Sequence, residues 1–138
     1  MAVEIDVVYE GQLHCACAHG PSGARLATDA PKDNQGKGES FSPTDLVAAA
    51  LGACMLTIIG IVSQRNGYPI EGTTVKVKKE MVADPIRRIG KLTLTFRVKN
   101  GSKLTEADRK KLEHAAHTCP VHKSLHPDIE TPTKFIWE

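Results

Sequence analysis

Ser42-Pro-Thr-Asp-Leu-Val-Ala-Ala-Ala-Leu-Gly-Ala-Cys-Met-Leu-Thr-Ile-Ile-Gly-Ile-Val62 is the one strongly apolar helical run in the chain. Ser42 is a good N-cap, Pro43 suits the first helical position, and Asp45 takes the acidic place of a capping box, so the helix is predicted to begin here. Asn66-Gly67 supplies its stop. From Leu46 to Val62 only Thr57 interrupts the run, which is rich in Ala and Gly and shorter than the ~20 residues of a membrane span. A buried helix of a soluble protein is expected. A helix apolar nearly all round needs cover on every side, and one small sheet covers one face, so the other face is expected to meet a second copy of the chain.

Around this helix the pattern is that of strands. Residues 3 to 30 read as two strands, Val3 to His19 and Ala24 to Thr28, joined through the turn formers Gly20-Pro-Ser-Gly23. Residues 31 to 41 read as a polar loop, whose Gly36-Lys37-Gly38 lacks the spacing and ending of a phosphate-binding loop. Val75, Val77, Lys79 and Met81 alternate with Lys76, Lys78 and Glu80. Leu92, Leu94, Phe96 and Val98 alternate with Lys91, Thr93, Thr95 and Arg97, and both stretches are strands with one wet face. Thr105 and Asp108 form a second capping box, opening a shorter helix that Pro120 ends or breaks. A helical turn through Leu125 and a strand near Thr133, Phe135 and Trp137 complete the order β-β-α-β-β-α-β. The fold class is α+β, mostly antiparallel, as one domain over residues 1–138.

Composition narrows the partners. Eighteen basic against sixteen acidic side chains give a formal charge of +2. With no basic stripe and few aromatics to stack on bases, nucleic acid is not expected as a partner. The start carries acids where a secretory leader carries positive charge, so it reads as part of the fold, and the four cysteines are placed in the reducing cytoplasm.

Two of those cysteines stand out. On a helix, Val47, Ala50, Leu51, Ile58 and Ile61 share a side with Cys54, so its surroundings are greasy and it reads either as a small core hydrophobe or as a reacting thiol. Asp45 lies nine positions earlier on the opposite face, about 13 Å along the axis, so any activation comes from another element; Arg25 is the only arginine before this helix. Cys119 precedes a proline, and if Pro120 starts a helical turn, Cys119 is its N-cap. There the unpaired N–H groups favour a thiolate, and electrostatics ranks it as the more acidic thiol. His117 and His122 are placed to tune it. His14, Cys15, Cys17 and His19 are ligand types, but i, i+2, i+4 ligands on a strand spread over ~13 Å and converge poorly on one ion. That set and His114, His117, His122 and His126 read as structural or solvent-facing, and no metal is expected.

Ser42 to Cys54 followed by Cys119-Pro-Val-His-Lys-Ser-Leu125, in this order of elements, resembles the OsmC/Ohr family of thiol-dependent hydroperoxide reductases. The resemblance implies an intertwined homodimer, no cofactor, and organic hydroperoxides as substrates. It makes Cys54 the peroxidatic cysteine and Cys119 the resolving one, with an external dithiol reducing the disulfide. It thereby reverses the electrostatic ranking of the thiols, in keeping with an apolar substrate pocket of Leu51, Met55 and Ile58. The family's helix-start Glu is Thr44 here, with Asp45 beside it, and its Arg positions hold Pro21 or Asn34. Asp45 and Arg25, in a shifted register, are the residues expected to serve instead. The competing reading is a non-catalytic binding or redox-sensing module that holds a lipid-like ligand.

Overall fold

In the computed structural model, which describes Met1–Glu138 throughout, the apolar run is helical from Pro43 to Asn66 (α1). Its start is a reciprocal capping box: the Ser42 N–H donates to Asp45 Oδ2 at 2.9 Å and the Asp45 N–H donates to Ser42 Oγ at 3.1 Å. Asn66 returns its amide to the Val62 carbonyl at 2.7 Å, and Gly67, with φ +70°, ends the helix. The helix thus has the start and stop expected of it, and its 24 residues are, by length and composition alone, long and apolar enough to cross a membrane, a test that the core helix of a soluble protein passes equally. Its buried positions, Ala48, Leu51, Gly52, Met55, Ile59 and Ser63, form one stripe. Gly52 marks the closest approach. A Cβ there would lie 2.9 Å from Val77 Cγ2 and 3.1 Å from Val75 Cγ1, so any larger residue pushes α1 off its support.

Two compact units make up the chain, Met1–Val47 and Ala48–Glu138. In the first, β1 (Ile5–Gly11), β2 (His14–His19) and β3 (Arg25–Asp29) form an antiparallel sheet in the order β1-β2-β3. This corrects the single strand expected from Val3 to His19. The chain reverses at Gln12 and Leu13, both at positive φ (54° and 62°) after Gly11 at 89°. Positive φ at two successive residues is the geometry of a primed hairpin turn, which Asn-Gly normally signals. Gln-Leu carries no such signal, and pairing to β2 imposes the conformation. The Gly20 to Gly23 turn joins β2 to β3 as expected, with the Gly23 N–H donating to the His19 carbonyl at 2.8 Å. Within the polar loop, Lys32–Asn34 makes a short 3-10 turn.

A charged pair fastens this sheet. His14 Nδ1 lies 2.5 Å from Asp29 Oδ1, and the Glu39 N–H donates to Asp29 Oδ2 at 3.0 Å. The hydrogen bond to Asp29, helped by the charges of Asp29, Glu10 and Glu39, raises His14 above its ordinary 6.5 against the opposing effect of burial. The bond to His14, with the Glu39 N–H and the Lys37 charge, lowers Asp29 below its ordinary 3.8. A lowered carboxylate stabilises above its unfolded pKa and loses that contribution as pH falls through the folded value. A raised imidazole stabilises fully below its unfolded pKa and loses that contribution as pH rises through the folded value. Both contributions are therefore present together between roughly pH 4 and 6.5. Asp29→Asn is expected to flatten this dependence, read as hydrogen-exchange protection of the β2 and β3 amides from pH 4 to 8; an unchanged profile rejects the pair as its source.

The second unit holds β4 (Thr74–Val82), β5 (Arg88–Val98) and β6 (Thr133–Trp137) in the order β4-β5-β6. β4 and β5 are antiparallel, whereas β5 and β6 are parallel. A parallel neighbour needs a crossover, and α2 (Glu106–Ala116) and α3 (Pro120–Ser124) supply it. The architecture is thus α+β with two three-stranded sheets rather than one. Alternation is realised as read: Leu92, Leu94, Phe96 and Val98 have no exposure, and Val75, Val77, Lys79 and Met81 are half-buried between exposed neighbours. Leu51, Met55, Ile59, Leu112 and Ala116 join them in the unit's core.

Candidate functional site

Thr105 opens α2 with the predicted capping box, its hydroxyl accepting the Asp108 N–H at 3.2 Å while Asp108 Oδ2 accepts the Thr105 N–H at 3.2 Å. The helix closes where Thr118 donates both its N–H and its hydroxyl to the Ala115 carbonyl, at 3.0 and 2.7 Å. A residue before proline is pushed out of helical conformation, and Cys119 accordingly sits at φ −65°, ψ 139° as the N-cap of α3, with Pro120 in the first turn. Its Sγ accepts the His122 N–H at 3.2 Å.

Acidity does not follow from that cap. Cys119 has no exposed surface, and burial raises its pKa above the ordinary 9.0. The N–H groups of His122 and Val121 pull the other way and lose, while a hydrogen bond and charge from Cys54 push it further up. The expectation that the N-cap position favours the Cys119 thiolate is overturned, because desolvation of a thiolate outweighs two backbone dipoles of a short helix.

This influence places two of the expected site residues near one another. Cys54 on α1 and Cys119 at the α3 N-cap are near enough for Cys54 to act on the titration of Cys119, both as free thiols, Cys54 half-buried and Cys119 buried. Of the three residues expected to line a pocket beside Cys54, Leu51 and Met55 have no exposure and belong to the core. Their side of α1 faces the sheet, so Ile58, half-buried, is the one with surface to offer.

His122 stands behind Cys119. Its Nε2 lies 3.1 Å from Thr131 Oγ1, its ring meets His117 edge-on at 5.7 Å between centroids, and its Nδ1 is buried without a partner. Burial, then the charges of His117 and Lys123, lower its pKa, so the ring is neutral at pH 7 and adds no positive charge to the thiol. Thr131 escaped the sequence reading, having no spacing that ties it to the cysteines.

The remaining expected site residues lie in the first unit. Asp45 serves the α1 cap, and Arg25 opens β3 on an exposed edge beside a small apolar cavity lined by Ile5, Cys17 and Leu26. No group of three or more His, Cys, Asp or Glu side chains gathers in a metal-holding arrangement. Chemically, the candidate site is a pair of neighbouring free thiols of unequal burial.

The sequence model of the OsmC-like protein family matches residues 36–134, which include both thiols. The chain belongs to the OsmC-like family. A protein of Psychrobacter arcticus 273-4, assigned to osmotic stress induction and the detoxification response, is 44% identical, with a TM-score of 0.90 over 96% of this chain and 94% of that one. The organic hydroperoxide resistance protein OsmC of Legionella pneumophila, described as a predicted redox protein, shares the fold at TM-score 0.78 and 17% identity, over 98% and 96% of the two chains. An OsmC-like protein of unknown function from Vibrio cholerae shares it at TM-score 0.82 and 16% identity, over 99% of each. No curated protein sequence matches this OsmC-like chain.

Proposed function

We propose that the chain is a thiol-dependent peroxidase that reduces organic hydroperoxides in defence against oxidative stress. The observation that carries this reading is the proximity of a half-buried Cys54 to a buried Cys119 whose titration it influences. The Cys54 thiolate attacks the O–O bond of the hydroperoxide. Cys54 becomes a sulfenic acid, and the departing alkoxide takes a proton to leave as the alcohol. Cys119 sulfur then attacks the Cys54 sulfur, the S–O bond breaks, and the thiol proton leaves with the hydroxide as water. An external cytoplasmic dithiol reduces the resulting disulfide by exchange.

Burial supports this order over its reverse. A thiol without exposed surface and with a raised pKa is a poor first nucleophile, yet it suits capture of a neighbouring sulfenic acid. In this reading Arg25 is the activating cation, and Arg25→Met raises the pH at which Cys54 is alkylated; an unchanged alkylation profile removes Arg25 from the mechanism. The relative from Legionella pneumophila, an organic hydroperoxide resistance protein, favours an organic rather than an inorganic peroxide.

The working form in this proposal is a homodimer. Ala49, Ala50, Ala53 and Ile61 of α1 are exposed, as are Ile5, Val7, Val8 and Tyr9 of β1, and apolar surface of this extent is characteristic of an interface. Obligate interfaces commonly bury more than ~2,000 Å², so the dimer should persist at low micromolar concentration in sedimentation. The test of function is peroxide turnover with a dithiol, followed by peptide mapping after one equivalent of cumene hydroperoxide. A Cys54–Cys119 disulfide is expected; Cys15 or Cys17 as the partner, or no consumption at all, overturns the reading.

A further inference from the structure

Successive residues of a strand point to opposite faces, and in the second sheet this division also sorts charge. Val75 and Val77 face α1 beneath Gly52, so Lys76 and Lys78 lie on the face turned away from α1. The pairing register sets Lys76, Thr95 and Lys134 in one row across the three strands, with Lys78 and Thr93 in the next. Lys134 is remote in sequence and joins the other two only through the parallel pairing of β6. All three lysines are exposed, and none has an ion-pair partner. The acids of this face are answered elsewhere. Glu80 stands opposite Lys91, whose Nζ lies 3.5 Å from Glu130, while Glu138 meets Arg97 at 3.2 Å and Lys99 at 3.0 Å.

Neighbouring strands are ~4.8 Å apart and alternate residues of a strand ~6.8 Å apart, so each of the three lysines has another within about 10 Å. That is close to the Debye length of ~8 Å at physiological salt, and the three charges act as one patch. Toward the β4–β5 connection the surface turns apolar. Val82, opposite Arg88 in the register, is 37% exposed, and Ile86, in the connection itself, is 69% exposed.

We infer that this face docks on an anionic phospholipid bilayer, with Lys76, Lys78 and Lys134 meeting the headgroup phosphates and Ile86 entering the interface. Charge complementarity selects an anionic partner. Ile86 and Val82 select lipid over a polynucleotide, because an interfacial protein joins cationic side chains to apolar ones, whereas this face carries no aromatic ring on which a base could stack. A protein reductant is the wrong occupant, since α1, which carries Cys54, lies across the sheet from the lysines. Lysines on edge strands also hinder strand addition, which accounts for charge on β4 and β6 but not for an exposed isoleucine beyond them.

The test is sedimentation of the intact, reduced protein with sucrose-loaded vesicles. Vesicles of phosphatidylcholine with about 30% phosphatidylglycerol are expected to carry the protein down at about 0.1 M salt, and vesicles of phosphatidylcholine alone are not. Each lysine near an anionic bilayer strengthens binding about fivefold, so Lys76→Gln/Lys78→Gln/Lys134→Gln should weaken it about a hundredfold at unchanged Tm. The same loss of charge at Lys103, Lys110 and Lys111, before and on α2, should weaken it less than about fivefold. Ile86→Ala should weaken it about tenfold. Cys54→Ser should bind the vesicles as the wild type does, so this result and the peroxidase reading stand or fall separately. No binding to the anionic vesicles, equal binding to phosphatidylcholine alone, or equal losses in the two triple-lysine variants overturns the inference. So does Ile86→Ala binding as the wild type does, or tighter binding to a single-stranded oligonucleotide than to the anionic vesicles.

Discussion

Cys54→Ser is expected to reduce dithiol-dependent consumption of cumene hydroperoxide by on the order of 10³-fold or more, the scale on which loss of a nucleophile is felt. The reason is chemical: serine cannot form the sulfenic acid on which the second step depends, and Cys119 is buried with a raised pKa and cannot take over. Cys119→Ser separates the two steps. It should leave the first turnover intact and let a Cys54 sulfenic acid accumulate, detectable by mass after trapping with a 1,3-dione. Wild-type turnover in Cys54→Ser sinks the mechanism, and a Cys119→Ser protein that cycles normally with dithiol removes the resolving role. Both variants should fold, because each exchanges a sulfur for an oxygen without changing the side chain's shape.

Phe96→Ala should cost about 3–5 kcal/mol of stability, enough to lower the Tm by about 10 °C or more. Phe96 is fully buried on β5 and stacks on Phe135 of β6, with ring centroids 4.7 Å apart and planes 9° from parallel. Phe135 in turn stacks on Trp137 at 5.6 Å, and the Arg109 guanidinium lies 5.5 Å from the Trp137 ring. Truncation therefore opens a cavity and also unseats the strand that closes the sheet. Lys78→Ala, on the exposed face of β4, should change stability by less than about 0.5 kcal/mol. A Phe96→Ala loss below about 1 kcal/mol in denaturant melts is incompatible with this packing.

Much of the frame was legible because it rests on short-range chemistry. Ser42 with Asp45 and Thr105 with Asp108 close hydrogen bonds over three residues, so both helix starts could be read from the chain alone. The period-2 alternation from Val75 and from Leu92 is likewise local, since successive strand residues point to opposite faces whatever the partner strand is. Pro120 forces its predecessor into extended backbone, and that local constraint is enough to put Cys119 at a helix N-cap.

What depends on distant partners was not legible. Gln12 and Leu13 carry no turn chemistry and bend because β1 must meet β2. Leu51, Met55 and Cys54 are near neighbours on one helix, and only the position of the sheet decides that the first two are core while Cys54 keeps some exposure. The two thiols, 65 positions apart in sequence, become neighbours only in the folded chain. The sequence by itself determined the OsmC-like pattern, the helix caps and the two candidate thiols. Tertiary structure alone decided their contrast, because a thiolate's free energy is governed by how much water surrounds it, and burial is set by residues far along the chain.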